Sequence, residues 1–185
     1  MSFTFTPTDL PEVLLVDYRR FEDDRGFFSE TYRAGVFAEH GIPPLVQDNH
    51  ARSTKGVLRG LHFQNDPAAL GKLVRCTRGR LFDVAVDLRR GSPRWAKWVS
   101  VELFGDDNRW VWIPPGFAHG YCTLSDEAEV QYKQSVYYAP DLDRSVAWND
   151  PEIGVRWPVD APIMSAKDVR APLLAQSDVN FRFEG

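Results

Sequence analysis

The sequence predicts an all-β protein, an antiparallel jelly-roll-type sandwich with a few short peripheral helices. Three observations carry that expectation. Short runs rich in β-branched and aromatic residues recur along the chain, Gly/Pro turns separate them, and few segments have a helical period. No internal repeat, low-complexity tract or linker interrupts the pattern, so residues 1–185 are expected to form a single domain.

Taken in order, Val13 to Val16 is a short apolar strand behind Pro11. Asp24-Arg25-Gly26-Phe27-Phe28-Ser29-Glu30 mixes charge with aromatic bulk in an unusual way. Residues 32–40 read as a short helix, with Tyr32, Val36 and Phe37 on one side and Gly41 as its stop. After the Pro43-Pro44 turn an extended segment begins at Val46-Gln47-Asp48-Asn49-His50, and 57–64 is a further strand. A loop through Asp66, Pro67 and Gly71 follows. Lys72 to Thr77 alternates, with Lys72, Val74 and Cys76 on one face. Leu81 to Leu88 sets Phe82, Val84, Val86 and Leu88 against Asp83, Ala85 and Asp87. Lys97 to Leu103 and Trp110 to Ile113 are two more strands, and Pro114-Pro115-Gly116 turns into Ala118 to Cys122. Val130, Tyr132 and Gln134 then oppose Glu129, Gln131 and Lys133. Trp148 to Trp157 is a loop-rich return, and Ser165 opens a short helix ended by Pro172.

The formal net charge of −4 argues against general nucleic-acid binding, which wants a basic surface. It leaves room for a local basic pocket around one phosphorylated small molecule. Cys76 and Cys122 sit in strand-like segments and read as reduced core residues. The segment MSFTFTPTDL lacks the basic and apolar regions of a signal peptide, and no run approaches the roughly 20 apolar residues of a membrane span. A cytoplasmic protein without membrane contact is expected.

The chemistry centres on GVLRGLHFQ at 56–64, where Arg59, His62 and Gln64 interrupt an apolar strand. Polar side chains in such a run cost stability unless they find partners or act on something. Pro114-Pro115-Gly116-Phe117-Ala118-His119 resembles the second half of the metal-binding cupin pattern, but the first half fails at Gln64. Two imidazoles and an amide make a poor transition-metal site, so no metal is expected. Proton transfer remains for His62, because imidazole titrates near neutrality. A base of this kind is usually steadied by a carboxylate, which composition alone does not identify among 26 acidic residues.

Longer motifs carry a resemblance. DRGFF at 24–28, QDNH at 47–50, VLRGLHFQ at 57–64, GKLVRC at 71–76, FDVAVDLR at 82–89, WIPPGFAHG at 112–120, YYAP at 137–140, WNDP at 148–151 and SAKD at 165–168 occur in order. The chain thereby resembles the dTDP-4-dehydrorhamnose 3,5-epimerase family, dTDP-sugar epimerases of the cupin class, over nearly its whole length. The resemblance implies a homodimeric jelly roll with shared active sites, acting on dTDP-4-keto-6-deoxyglucose without metal or other cofactor. It makes His62 the base, Asp168 its orienting partner, Lys72 the cation at the keto oxygen and Tyr132 the acid on the opposite face. It further implies substrate contacts from Arg25, Phe27, Glu30, Gln47, Asn49, Arg59, His119, Tyr138, Asp143 and Lys167, with Tyr138 stacking on thymine. The segment holding Arg25 and Glu30 is implied to complete the partner subunit's site.

Three positions depart from the family's usual residues: Asp143 for glutamate, Tyr121 for phenylalanine and Ala51 for serine. Ser165-x-x-Asp168 also has the form of a capping box, which gives Asp168 a competing structural role. Strict alternation puts Arg59 and His62 on opposite faces, so both reach one pocket only if the strand bulges, and Gly60 permits that.

Overall fold

The computed structural model describes residues 2–184, and its architecture is an antiparallel jelly roll with two short α-helices. The strands are β1 (Phe3–Pro7), β2 (Leu14–Tyr18), β3 (Arg20–Asp23), β4 (Gly26–Ser29), β5 (Gln47–Thr54), β6 (Leu58–Gln64) and β7 (Lys72–Arg78). They continue as β8 (Arg80–Asp87), β9 (Trp98–Phe104), β10 (Arg109–Ile113), β11 (Phe117–Thr123), β12 (Glu127–Gln134) and β13 (Asp143–Ser145). A six-stranded sheet runs β1-β2-β10-β7-β12-β5 and faces a five-stranded sheet ordered β13-β6-β11-β8-β9. β3 and β4 form a separate two-stranded arm.

The sandwich interior holds Val74, Cys76, Val111, Ile113, Ala128 and Val130 from the first sheet against Leu81, Ala85, Phe117 and Tyr121 from the second. Both outer faces are covered as well. Helix α1 (Ala34–Glu39) drives Phe37 against Phe3, Val16, Tyr18 and Trp110, and Gly41 closes it at φ +74°. The C-terminal return lays Ile153, Leu174, Val179 and Phe181 over Leu61, Phe63, Val84 and Val86. This second covering buries the face of 81–88 that carries Val84 and Val86, while Leu81, Asp83 and Ala85 are on the face toward the sandwich interior. The face carrying Asp83 and Asp87 was expected to oppose the apolar one as a polar side, yet both aspartates are buried. A jelly roll closed on both sides has no solvent face for its central strands, and a buried carboxylate there must be partnered.

Asp87 illustrates the partnering. It accepts from Arg89 Nη2 at 2.7 Å and from Ser92 Oγ at 2.7 Å, while Arg89 also reaches Glu12 at 2.9 Å. Burial pushes its carboxyl up, but the Arg89 and Ser92 hydrogen bonds outweigh that and hold it low.

Several strands differ from the sequence reading: β3, β4 and β13 were not read as strands, and two differences at the N-terminal edge have a clear cause. β1, FTFTP, was not anticipated; its edge position leaves only Phe3 buried, so five residues carry little pattern. The strand expected at Val13–Val16 runs Leu14–Tyr18, because Asp17 and Tyr18 continue the ladder with β1 and β10.

Candidate active site

The site lies at one end of the sandwich, in a cleft of about 260 Å³ lined by His62, Gln64, Leu70, Lys72, Tyr132, Gln134, Tyr138, Asp143 and Lys167. Its chemical groups come from both sheets. β7 and β12 are neighbours in the six-stranded sheet and place Lys72, Tyr132 and Gln134 on the inward face. β6 and β13, neighbours in the five-stranded sheet, supply His62 and Asp143 from across the cleft.

β6 bulges where the sequence demanded it. Arg59 stands opposite Tyr121 and His62 opposite His119, so two residues of β6, Gly60 and Leu61, face the single residue Gly120 of β11. Arg59 and His62 thereby come to the same face. Gly60 is at φ +146°, and a Cβ there would sit 2.6 Å from the Gly120 Cα, so a side chain cannot enter without parting the strands.

His62 Nε2 lies 2.5 Å from Asp168 Oδ1. With its Nε2–H donated to that carboxylate, the imidazole keeps its Nδ1 lone pair free. Asp168 belongs to helix α2 (Ala166–Val169), and its backbone N–H also donates to Ser165 Oγ at 3.1 Å. The two roles weighed from sequence coexist: the main chain completes the cap and the side chain holds the imidazole. Burial raises the Asp168 carboxyl, but the His62 hydrogen bond and charge prevail and keep it below its usual value.

Lys72 is buried, not the solvated strand-end charge a lone lysine would suggest. Desolvation lowers its pKa to about 8, against the pull of Asp143 and Asp83. Its Nζ lies 6.0 Å from the Tyr132 ring centroid. Burial raises the Tyr132 phenol, which therefore keeps its proton at neutral pH.

At the cleft mouth Tyr138 is half exposed and donates to Asp143 at 3.1 Å, and Lys167 also binds Asp143. Gln47 accepts from Tyr138 N at 3.0 Å and donates to Asn49 at 3.2 Å. Asn49 leaves its Nδ2 buried and without a partner among the described residues. Arg59 donates to Ser53 Oγ at 3.1 Å. His119 pairs with Asp83 at 2.8 Å; burial lowers the imidazole's pKa despite that carboxylate, so the ring is neutral at pH 7. Gln64, in the position where a metal-binding cupin would have its second histidine, has its amide engaged by Ala68 O at 2.9 Å and Ala139 N at 2.8 Å.

Among the residues drawn from the resemblance, Gln47, Asn49, Arg59 and His119 do not themselves line this cleft, and Arg25, Phe27 and Glu30 make their contacts elsewhere. Arg25 sits on the exposed arm and pairs with Asp23, Phe27 is 64% exposed beneath Arg20, and Glu30 forks onto Arg33. Conversely, Gln134 lines the cleft and Asp83 backs His119, and the sequence reading singled out neither. Asp83 was hidden by the buried second face of β8. Gln134 carried a readable signal, since it follows Tyr132 by two on an alternating strand. A larger hollow of about 320 Å³ near Asp48, Asn49, His50, Arg75 and Trp110 has its charged groups paired, Arg75 with Gln131, His50 with Glu129 and Lys133 with Asp48.

A carboxylate-steadied imidazole, a phenol and a buried ammonium around one cleft in a cupin-type jelly roll are the groups that an acid–base isomerase needs. The chain belongs to the dTDP-4-dehydrorhamnose 3,5-epimerase family, whose model matches residues 7–176. It is 51% identical over 172 residues to the dTDP-4-dehydrorhamnose 3,5-epimerase of Pseudomonas aeruginosa, covering 91% of this chain and 94% of that protein. The Shigella flexneri enzyme of the same name is 49% identical, with 92% and 96% covered. Among solved structures, the dTDP-6-deoxy-D-glucose-3,5-epimerase of Legionella pneumophila, in complex with dTDP-4-keto-L-rhamnose, superposes with a TM-score of 0.94. The two chains are 41% identical, and the match covers 99% of this chain and 100% of the other.

Proposed function

We propose that this chain inverts carbons 3 and 5 of dTDP-4-dehydro-6-deoxyglucose, giving dTDP-4-dehydro-L-rhamnose. The observation that carries this reading is the placement of His62 on one sheet and of Lys72 and Tyr132 on the other, around a single cleft. Inversion beside a ketone needs a base on one face of the ring, an acid on the other, and a cation at the oxygen where charge develops. His62 takes the proton, with Asp168 stabilising the imidazolium that forms. Lys72, mostly protonated at pH 7, meets the enolate oxygen in a water-poor site where such a donor acts most strongly. Tyr132 returns a proton from the far side. Each step moves a proton between a side chain and carbon, so the reaction requires neither metal nor other cofactor.

Arg59, Lys167, His119, Gln47 and Asn49 hold the diphosphate and sugar, Asp143 orients Lys167, and Tyr138 stacks on thymine. The guanidinium fork of Arg59 suits a phosphate because it meets two oxygens at once. Residues 1–185 act as one cupin-like domain in the cytoplasm, and no described helix is long and apolar enough to cross a membrane.

The arm supports a homodimer with shared sites. Phe21, Phe27 and Phe28 are exposed on β3 and β4 beside Arg25, an apolar surface that a second copy would cover. In that assembly Arg25, Phe27 and Glu30 reach the partner's cleft. Mixing Arg25→Ala chains with His62→Ala chains, each nearly inactive alone, then restores about one functional site in four by forming mixed dimers. No recovery on mixing would place Arg25 outside the shared site.

The reading is tested by proton NMR of the protein with dTDP-4-keto-6-deoxyglucose in deuterium oxide containing EDTA. Deuterium is expected at both carbon 3 and carbon 5. Exchange at one carbon would make this a single-carbon epimerase, no exchange would leave a sugar-nucleotide-binding protein, and loss of exchange only with EDTA would assign a metal.

A further inference from the structure

Gln134, the last residue of β12, faces the cleft with nothing from the protein to bind. It is 6% exposed, it lines the cleft with His62, Lys72 and Tyr132, and its Oε1 is fully buried without a hydrogen-bond partner among the described residues. Leaving such an acceptor unpaired is unfavourable, so its retention calls for a ligand. Gln64, the other glutamine lining the cleft, is occupied by Ala68 and Ala139, and Gln47 nearby is occupied by Tyr138 and Asn49. Gln134 is also held rigidly, because its carbonyl accepts from Val46 N at 2.7 Å and the next residue, Ser135, donates from its backbone N to Gly71 O at 3.0 Å.

Its register partner on β7 is Lys72. Directly opposed residues on one face of an antiparallel pair have Cβ atoms about 4.5–5.5 Å apart. Among the described residues Lys72 has no side-chain hydrogen bond; Asp143, Asp83 and Lys167 act on it only through space. An ammonium and a free amide oxygen side by side match a ligand with an acceptor oxygen and a hydroxyl on adjacent carbons, an α-hydroxy ketone.

We infer that Gln134 is a positioning residue that accepts a hydrogen bond from the sugar hydroxyl next to the keto group while Lys72 holds the keto oxygen. The inference deepens the epimerase reading and rests on it. In a 4-keto-6-deoxyhexose the hydroxyl beside the ketone is on carbon 3. Carbon 5, on the other side, carries the ring oxygen and the methyl group. Gln134 therefore grips the substrate on one flank only. Fixing the carbon 3 hydroxyl fixes the direction of the carbon 3 hydrogen relative to the carbonyl, which is what abstraction by His62 depends on.

The test is the Gln134→Met variant, which keeps side-chain length and removes the acceptor. Deuterium entry at carbons 3 and 5 is followed separately by proton NMR, beside thermal unfolding and calorimetric binding of dTDP. Exchange at carbon 3 is expected to fall roughly 10-fold or more relative to carbon 5. The unfolding temperature is expected not to fall, because deleting an unpaired amide strands no other group, and dTDP, which lacks the hexose, binds unchanged. Gln134→Leu, equally apolar but of different shape, gives the same change in ratio and stands in if the methionine variant folds poorly. A purely structural role would not move the ratio of the two carbons. Exchange that falls equally at both carbons, or at neither, overturns this inference alone, whereas a wild type that exchanges at neither carbon overturns the epimerase reading with it.

Discussion

Replacing His62 by alanine is expected to reduce epimerisation by about 10²–10⁴-fold or more, the range of a lost general base, while dTDP still binds. The groups proposed to bind the nucleotide half, Tyr138, Lys167 and Arg59, do not depend on His62 for their contacts, which run to Asp143 and Ser53. Stability responds separately. The variant leaves Asp168 buried without its partner, at a cost of about 1–3 kcal/mol. The folded pKa of Asp168 lies below its unfolded value, so its ionised form stabilises the protein above the ordinary carboxylate range, and this contribution fades as pH falls through the folded value. The difference between wild type and His62→Ala should accordingly be largest near neutral pH and shrink on acidification. Calorimetric loss of dTDP binding comparable to the loss of turnover would make His62 a ligand contact in place of a base.

Tyr132→Phe is expected to separate two events that the wild type couples. The phenylalanine keeps the ring between Val130 and Gln134 and deletes one hydroxyl, so the fold changes little. Proton abstraction uses His62 and Lys72, and solvent deuterium should still enter from the base's own side. Inversion needs a donor on the opposite sheet, and it should slow by about 10²–10⁴-fold. The measurement compares the rate of deuterium exchange with the rate of inverted product. A parallel fall in both would move Tyr132 into enolate formation or binding, and no fall in either would assign the acid to another group.

How far the site could be read beforehand differs from residue to residue. The inward placement of Lys72, Tyr132 and Gln134 followed from period-2 alternation, and the jelly-roll class followed from many short strands divided by Gly/Pro turns. The bulge in β6 was legible because Arg59 and His62 were three apart with a glycine between them. The ion pair of His62 with Asp168 joins residues 106 apart in sequence, and only the family motifs linked them. Asp83 was out of reach for a different reason. Alternation reports two faces but not which one is inward: Asp83 shares the interior-facing side with Leu81 and Ala85, while the more apolar side with Val84 and Val86 is the outer one, covered by Ile153, Leu174 and Phe181 from a loop-rich tail with little periodicity. Arg25, Phe27 and Glu30 lie on an arm whose position relative to the cleft no local pattern could specify.

The same 106-residue separation orders events in time. At about 5–20 residues per second of synthesis, roughly 5–20 s pass between the addition of His62 and that of Asp168. Every strand through β13 is translated before Asp168 appears. The nascent chain thus has all the described strands of its sandwich while His62 still lacks its carboxylate partner, and while Leu174, Val179 and Phe181, which help cap the outer sheet, are not yet made. Competence for chemistry is the last thing translation delivers, and a chain that stalls before helix α2 would be folded in outline and mute in function.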